Sequence, residues 1–494
     1  MHRRVGRPKS KTGCITCKIR HVKCDEEKPE CNRCARSGRK CDGYNDSSQR
    51  QLHEELDKGS RQPWSVRSDR LVLVPGSRKE RQYVHVFCTQ ATRTLSGFFP
   101  SDFWTRFLPQ LSHRYPTIRH AVSAVGAVYE RQLLPANADS TAFPRGDEGT
   151  TDRGVDLTLV TCLLFVCLET LRSQNPRALD HIQSGVQIVA GRLREKRSVN
   201  NEFDRELLHW FSRLNIQTCF WGRGILPLDI CPEKSTMAPG KMLVFDNISQ
   251  ARESLTDLQS RTLIFIRFVG SKSGITYQDV DDQQRQAQQA LEAEYHTWRA
   301  GFDRLQKRSA KRAGIPDPRA PLVLLVEYHT SIVWVLNCIS QEESNFDKYY
   351  SNFEEIVALA DKIIDCGPGW ESKPAAEQLS LDAGVLAHLY WTAQKCRHPL
   401  IRRRAIQVLA RCPARQGMWL RPLMVQVASK IVEMEEAPLV CLPVEERIVE
   451  EQHRVYETLI YPDDSQKNPC PVHFLFKPHG VTGGFESRWA DVAW

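Results

Sequence analysis

The sequence predicts a chain in two unequal parts: a small metal-stapled cluster near the N-terminus and a large all-α domain behind it. Three observations lead there. Six cysteines fall at residues 14, 17, 24, 31, 34 and 41, in the order C-x2-C-x6-C-x6-C-x2-C-x6-C. Positive charge gathers around them: residues 1 to 44 hold 13 Lys plus Arg against 5 Asp plus Glu, a surplus of eight in a chain whose net charge is +9. Beyond about residue 83, apolar side chains recur at helical spacing and strand-like alternation is scarce. With 494 residues there is room for a small module and one large domain with a sizeable core.

The cysteines come as two copies of one half-motif. Cys14, Cys17 and Cys24 repeat seventeen residues later as Cys31, Cys34 and Cys41. The start, "MHRRVGRPKSKTGC", has no apolar h-region, so no secretory signal is expected and a reducing compartment follows. Thiolates and metal are then favoured over disulfides. Soft thiolate ligands suit zinc, copper(I) or iron-sulfur chemistry, and a structural zinc site takes four ligands in a tetrahedron. Six thiols complete one site and leave two over unless ligands are shared. Two bridging thiolates let six sulfurs fill the eight positions around two zinc ions. The repeat points to the first cysteine of each half as the bridge: Cys14, Cys17, Cys24 and Cys31 around one ion, Cys31, Cys34, Cys41 and Cys14 around the other. A segment of about thirty residues cannot fold on apolar burial alone, so metal binding and folding should be one event. A three-disulfide knot, or two unrelated C-x2-C zinc knuckles, are the other ways to read the same residues.

These spacings, the basic run after the second cysteine and the proline loop "DEEKPEC" resemble the fungal binuclear zinc cluster (Zn2Cys6) DNA-binding domain. The resemblance implies two short helix-strand halves. It also implies that the helix after the first cysteine pair, over residues 15 to 22, points its C-terminal end into the major groove over a CGG triplet. Lys18, Arg20, His21 and Lys23 would then face DNA, and double-stranded DNA and the nucleus follow as partner and location. Lysine and arginine read guanine O6 and N7, while neighbouring cations neutralise phosphates. Two zinc ions and six thiolates sum to minus two, so the basic side chains must supply the attraction. His21 stands where the family most often has Lys or Arg: it either donates one hydrogen bond to guanine or yields the role to Arg20 and Lys23. Ahead of the cluster, "RRVGRPKSK" offers Arg7, Lys9 and Lys11 around a Gly-Arg-Pro core that looks like part of an AT-hook. A nuclear import signal and a phosphate-binding arm are the competing readings of that stretch.

The chain is accordingly divided into a basic arm (1–13), the DNA-binding domain (14–43), a linker (44–82) and an all-α regulatory domain (83–494). The linker is polar and turn-rich. Leu52 and Leu56 provide one heptad step before Gly59 and Pro63 intervene, so a coiled-coil dimer is not supported. In the large domain "EFDRELLHWFSRLNIQTCFWGR" puts Phe203, Leu207, Trp210, Phe211 and Leu214 on one stripe. "TIRHAVSAVGAVYE" does the same with Ile118, Val122, Val125 and Tyr129. Similar patterns recur near 246–269, 280–307, 320–340, 346–365, 378–397, 399–411, 420–435 and 443–459, and "PVHFLFK" (471–477) is the main strand candidate. The stretches 95–130 and 162–189 resemble the regulatory domain of fungal-specific transcription factors. Such proteins usually carry a further helix just before the second stretch, where this chain has Gly, Pro and acidic residues. The longest apolar run, "LVTCLLFVCL" (159–168), is about half a bilayer span, so it reads as a core helix and no membrane partner is expected.

Catalytic arrangements are not found. "LHEELD" lacks the second histidine of a zinc protease motif, "GSKSG" has Lys272 where a nucleophile elbow needs serine, and no phosphate loop is present. His113, His120, His181 and His209 have no partner at ligand spacing. The expected function is a zinc-dependent, sequence-specific regulator of RNA polymerase II genes, reading CGG-type triplets and controlling a metabolic or secondary-metabolite gene set, and not an enzyme. The competing reading is a zinc-stapled protein-interaction module. A small effector in an apolar pocket of the large domain, and contact of the acidic stretch 433–452 with the transcription machinery, are further expectations.

Overall fold

The computed structural model describes residues 12–43, 75–99, 101–133, 154–195, 202–221, 223–228, 243–270, 281–309, 317–340, 342–367, 373–382, 384–480 and 483–494. It divides into two units, Met1–Leu73 and Val74–Trp494. Residues 1–11 of the basic arm, with Arg7, Lys9 and Lys11, the heptad step at Leu52 and Leu56, and the stretch where a helix is lacking before 157 lie outside the described residues, apart from the first turn of the helix that begins at Gly154.

The small unit contains two five-residue helices, α1 (Ile15–Ile19) and α2 (Asn32–Arg36). Isolated helices this short do not persist in water, so something else must hold them. Their buried hydrophobic cluster is the six cysteines, with Val22 packed at its margin. Metal-directed folding is the physical counterpart of that interior.

The large unit is predominantly helical. Its helices are α3 (Arg78–Val86), α4 (Thr92–Ser96), α5 (Leu108–Arg114), α6 (Pro116–Leu133), α7 (Gly154–Leu171), α8 (Asn175–Arg194), α9 (Glu202–Cys219), α10 (Ile248–Gly270), α11 (Asp282–Ser309), α12 (Ala320–Asn337), α13 (Tyr350–Asp365), α14 (Leu386–Lys395), α15 (Pro399–Ala410) and α16 (Arg421–Glu436). The first of these begins within the stretch assigned to the linker. A capping box starts it there: the Ser77 hydroxyl accepts from the Glu80 N–H at 3.2 Å, and the Glu80 carboxylate accepts from the Ser77 N–H at 2.6 Å.

Two apolar cores organise these helices. One is built mainly from α3 to α9 around Trp104 and Trp210, whose rings meet edge to face at 5.3 Å. The other is built from α10 to α16 around Trp298 and Phe302, stacked at 4.9 Å. They are stitched together across sequence: Phe98 and Phe99 join the second core, while Leu379, Leu381 and Met418 join the first. α12 is long and apolar enough to cross a membrane, and 78% of it is buried in the second core.

Strands are more abundant than the sequence suggests. β1 (Leu379–Ser380) pairs parallel with β2 (Arg415–Gln416), which pairs antiparallel with β3 (Trp419–Leu420). β4 (Val455–Leu459), β5 (Cys470–Phe476) and β6 (Glu486–Val492) form an antiparallel sheet with β5 in the middle. β5 alternates, burying Cys470, Val472, Phe474 and Phe476. Two helix expectations are thereby corrected. Within 378–397 the chain is a strand before Gly384, at φ +54°, and the helix starts only at Leu386. Across 443–459 there are short 3-10 turns and then β4, because the Val455 N–H bonds the Glu435 carboxylate at 2.7 Å instead of a carbonyl one turn back.

That carboxylate belongs to a buried ion network. Glu435 accepts from Arg397 at 2.9 Å and from Arg402 at 2.8 Å, and all three side chains are at most 1% exposed. Arg397 also reaches Glu343 at 2.8 Å, and Lys395 does the same. Burial alone would raise the Glu435 carboxyl, yet Arg397 and Arg402 hold it below its ordinary value. The stretch 433–452 is therefore not simply a solvated acidic face: Glu435 and Glu436 point inward, while Val440, Leu442 and Ile448 are exposed.

Candidate metal centre and nucleic-acid interface

Each short helix is capped by a cysteine. Cys14 precedes α1 in an extended conformation and its sulfur accepts from the Cys17 N–H at 3.4 Å; Cys31 precedes α2 and accepts from the Cys34 N–H at 3.3 Å. The Cys14 N–H donates to Cys24 Sγ at 3.4 Å, and the Cys31 N–H to Cys41 Sγ at 3.5 Å. Sulfur here takes the place that serine or aspartate oxygen holds at ordinary helix starts. The seventeen-residue repeat of the sequence is thus a repeat of hydrogen bonds as well.

The sulfurs converge. Cys14, Cys17, Cys24 and Cys31 lie within 4.8 Å of one another, as do Cys14, Cys31, Cys34 and Cys41, so Cys14 and Cys31 belong to both sets. Cys14 and Cys31 are 3.6 Å apart, Cys17 and Cys31 3.7 Å, and Cys14 and Cys34 3.9 Å. Metal-sulfur arms of about 2.3 Å at tetrahedral angles put neighbouring sulfurs roughly 3.8 Å apart, whereas a disulfide needs about 2.05 Å. The two sets fit tetrahedral metal ions by distance and by donor chemistry. Burial raises the Cys14, Cys17, Cys31 and Cys34 thiols above the ordinary range, while the N–H groups of Cys31 and Gly43 lower Cys41. Packing six thiolates together therefore requires cationic charge among them.

The exposed chemistry sits at the helix C-termini. Lys18, His21 and Lys23 are exposed, and Arg20 is half-buried with its guanidinium donating to the Ser37 hydroxyl at 3.1 Å. His21 and Gly38 are equivalent under the repeat, and both are left-handed, at φ +53° and +63°. They terminate their helices identically: the next N–H, of Val22 or Arg39, reaches back to the carbonyl of Cys17 or Cys34 at 3.1 Å. Glycine takes this conformation freely; a histidine there pays about 1 kcal/mol or more. Ile19, the last residue of α1, is 71% exposed. The second half adds exposed Arg33, Arg36, Arg39 and Lys40.

Sequence reasoning missed three of these features: the Arg20–Ser37 bond, the left-handed site of His21 and the second-half cations. The period of seventeen already aligns His21 with Gly38 and Lys23 with Lys40, so the last two were within its reach. In the large unit, His120 faces Glu80 at 2.8 Å and His209 faces Glu253 at 3.3 Å, each a carboxylate partner distant in sequence.

Residues 12–51 match the family model described as the fungal Zn(2)-Cys(6) binuclear cluster domain. The chain is similar to the aspercryptin biosynthesis cluster-specific transcription regulator atnN of Emericella nidulans, with 22% identity over 87% of this chain and 88% of that protein. The transcriptional regulatory protein moc3 of Schizosaccharomyces pombe is 35% identical over 21% of this chain and 19% of its own length. The Zn(2)-C6 fungal-type transcription factor afumD of Aspergillus fumigatus is 29% identical over 28% and 37%. No solved structure matches the chain.

Proposed function

We infer that this chain acts as a fungal Zn(2)-Cys(6) transcription regulator rather than as an enzyme, with a specific division of labour. Two zinc ions are held by six thiolates, Cys14 and Cys31 bridging, Cys17 and Cys24 completing one site and Cys34 and Cys41 the other. The metal supplies the folding energy of residues 14–41 and no chemistry beyond it. The folded knob enters the major groove of double-stranded DNA with the C-terminal end of α1 foremost, over a CGG-type triplet. Lys18 and Lys23 approach guanine edges or phosphates, and His21 reaches a base edge or leaves the reading to Arg20 and Lys23. Arg20, tied to Ser37, is oriented before contact. Arg7, Lys9 and Lys11 add sequence-independent phosphate contacts from the arm. The protein works in the nucleus on a metabolic or secondary-metabolite gene set, a reading supported by the name of its Emericella relative.

The observation that carries this reading is the sharing of Cys14 and Cys31 between two four-sulfur sets. Elemental analysis of the purified chain should find two zincs, Cys14→Ser should lose both, and Cys24→Ser should lose one. Site selection should return CGG-containing duplexes, with an affinity that falls steeply as salt rises. One zinc per chain, or binding indifferent to sequence, would overturn it and favour the protein-interaction reading.

A further inference from the structure

The two edges of the C-terminal sheet are treated differently. β4 is covered: the Tyr390 and Thr458 hydroxyls bond at 2.7 Å, the Lys395 ammonium donates to the Tyr456 carbonyl at 2.6 Å, and the Val455 N–H is taken by Glu435. β6 is open. β5 pairs it along one side, and among the described residues no main-chain group bonds its other side. Glu486, Ser487, Arg488 and Trp489 are all exposed, Trp489 at 66%, and Phe485 just ahead of them is 57% exposed. A free edge of this kind is a template for another strand.

The side chains along that edge are sorted by face. Ser487 and Trp489 stand opposite Leu475 and His473 on the solvent face of the sheet, and Phe485 lies with Tyr456 and Lys477. Glu486 and Arg488 stand opposite Phe476 and Phe474 on the other face. Arg488 lies 4.6 Å over the Phe476 ring and only 4.0 Å from Glu486, with both ionic side chains at least half exposed. His479 faces the same carboxylate at 3.7 Å.

An antiparallel pairing of β6 with its own copy has a twofold axis through one residue, and positions equally far to either side meet across it. Centred on Ser487, the axis sets Glu486 opposite Arg488 twice and Phe485 opposite Trp489 twice. Centred on Arg488 or Glu486, it sets like charges face to face. Centred on Trp489, it sets the Glu486 carboxylate against Val492, which is buried. One register therefore satisfies the charges on one face and the aromatics on the other. The same alternation of sign disfavours strands that lack it.

We propose that β6 is the surface through which two copies of this chain associate, as an antiparallel continuation of the sheet centred on Ser487. Main-chain hydrogen bonds join the strands, and Glu486–Arg488 and Phe485–Trp489 pairs across the axis fix the register. The surface is independent of the DNA-binding reading.

The test is sedimentation velocity on the full zinc-loaded chain. From about 0.1 to 100 µM it should show a monomer–dimer equilibrium with a dissociation constant in the micromolar range, the strength of a short edge contact. Arg488→Glu and Glu486→Arg should each weaken self-association about tenfold or more, because each places like charges opposite one another at both pairs. Mixed in equal amounts, the two variants should associate as tightly as the unchanged chain, since every charge then meets its opposite. A monomer at every concentration, a dimer indifferent to either substitution, or a mixture no tighter than the single variants would overturn the proposal.

Discussion

The two units keep opposite kinds of interior. Residues 12–43 enclose sulfur, with one valine at the margin, whereas the large unit encloses hydrocarbon in two cores and threads an ion network through the second. The first is a coordination problem, the second a packing problem with a buried charge balance. A short segment cannot withdraw enough apolar surface from water to offset the entropy of ordering its chain; a long one can. The two units should therefore fail under different insults.

Metal removal should separate them most sharply. A chelator should unfold residues 12–43, removing about 10–16 kcal/mol of apparent binding free energy, and abolish DNA binding. All 11 tryptophans lie outside that segment, so fluorescence-detected melting of the large unit should not move. A parallel loss of both signals would show that the interiors are coupled.

Next in size, Glu435→Ala leaves Arg397 with Glu343 alone and Arg402 without its close carboxylate, and should lower the stability of the large unit by about 3–5 kcal/mol. Calorimetry would detect it, with zinc content and DNA affinity of the folded protein unchanged. A cost below 1 kcal/mol would mean that packing alone holds this corner.

Acid should distinguish the units again. Burial lowers His388 to about 4 from an ordinary 6.5, and burial followed by the Arg299 charge does the same for His329. The folded chain keeps both neutral where the unfolded chain takes up protons. Their contribution is thus fully present above pH 6.5 and is lost as pH falls towards 4. Each should remove about 1.4 kcal/mol per pH unit in that window. Denaturant midpoints measured by tryptophan fluorescence at pH 7, 6 and 5 check the slope, and His388→Gln should flatten it.

The smallest effect lies within the small unit itself. His21→Gly should relieve a left-handed backbone and stabilise the cluster by about 1 kcal/mol, seen as slower zinc loss to a chelator; His21→Ala should not. If both variants lose DNA affinity equally, the imidazole makes the contact. If neither does, Arg20 and Lys23 carry the reading.

Much of the small unit was legible because its chemistry is periodic. Cysteine spacing gave the two sulfur sets, since thiols at offsets of three and ten cap a helix and return to it. The backbone conformation of His21 was not read, although Gly38 stands at its repeat position. In the large unit, strong 3.6-residue stripes such as 203–214 became helices, with Trp210 and Phe211 fully buried. Misreadings arose where a long-range partner outcompeted local preference. Val455 joins a strand because its N–H reaches Glu435, and Glu435 is buried because two arginines reach it.

An interior made of thiolates has a physiological corollary. On the proposed function, occupancy of its DNA targets should track how much zinc the surrounding cell leaves unbuffered, because the proposed DNA-contacting tip would exist only while that pool can supply it. During scarcity the promoters would empty while most of the polypeptide persisted, and replenishment would re-arm it without new synthesis.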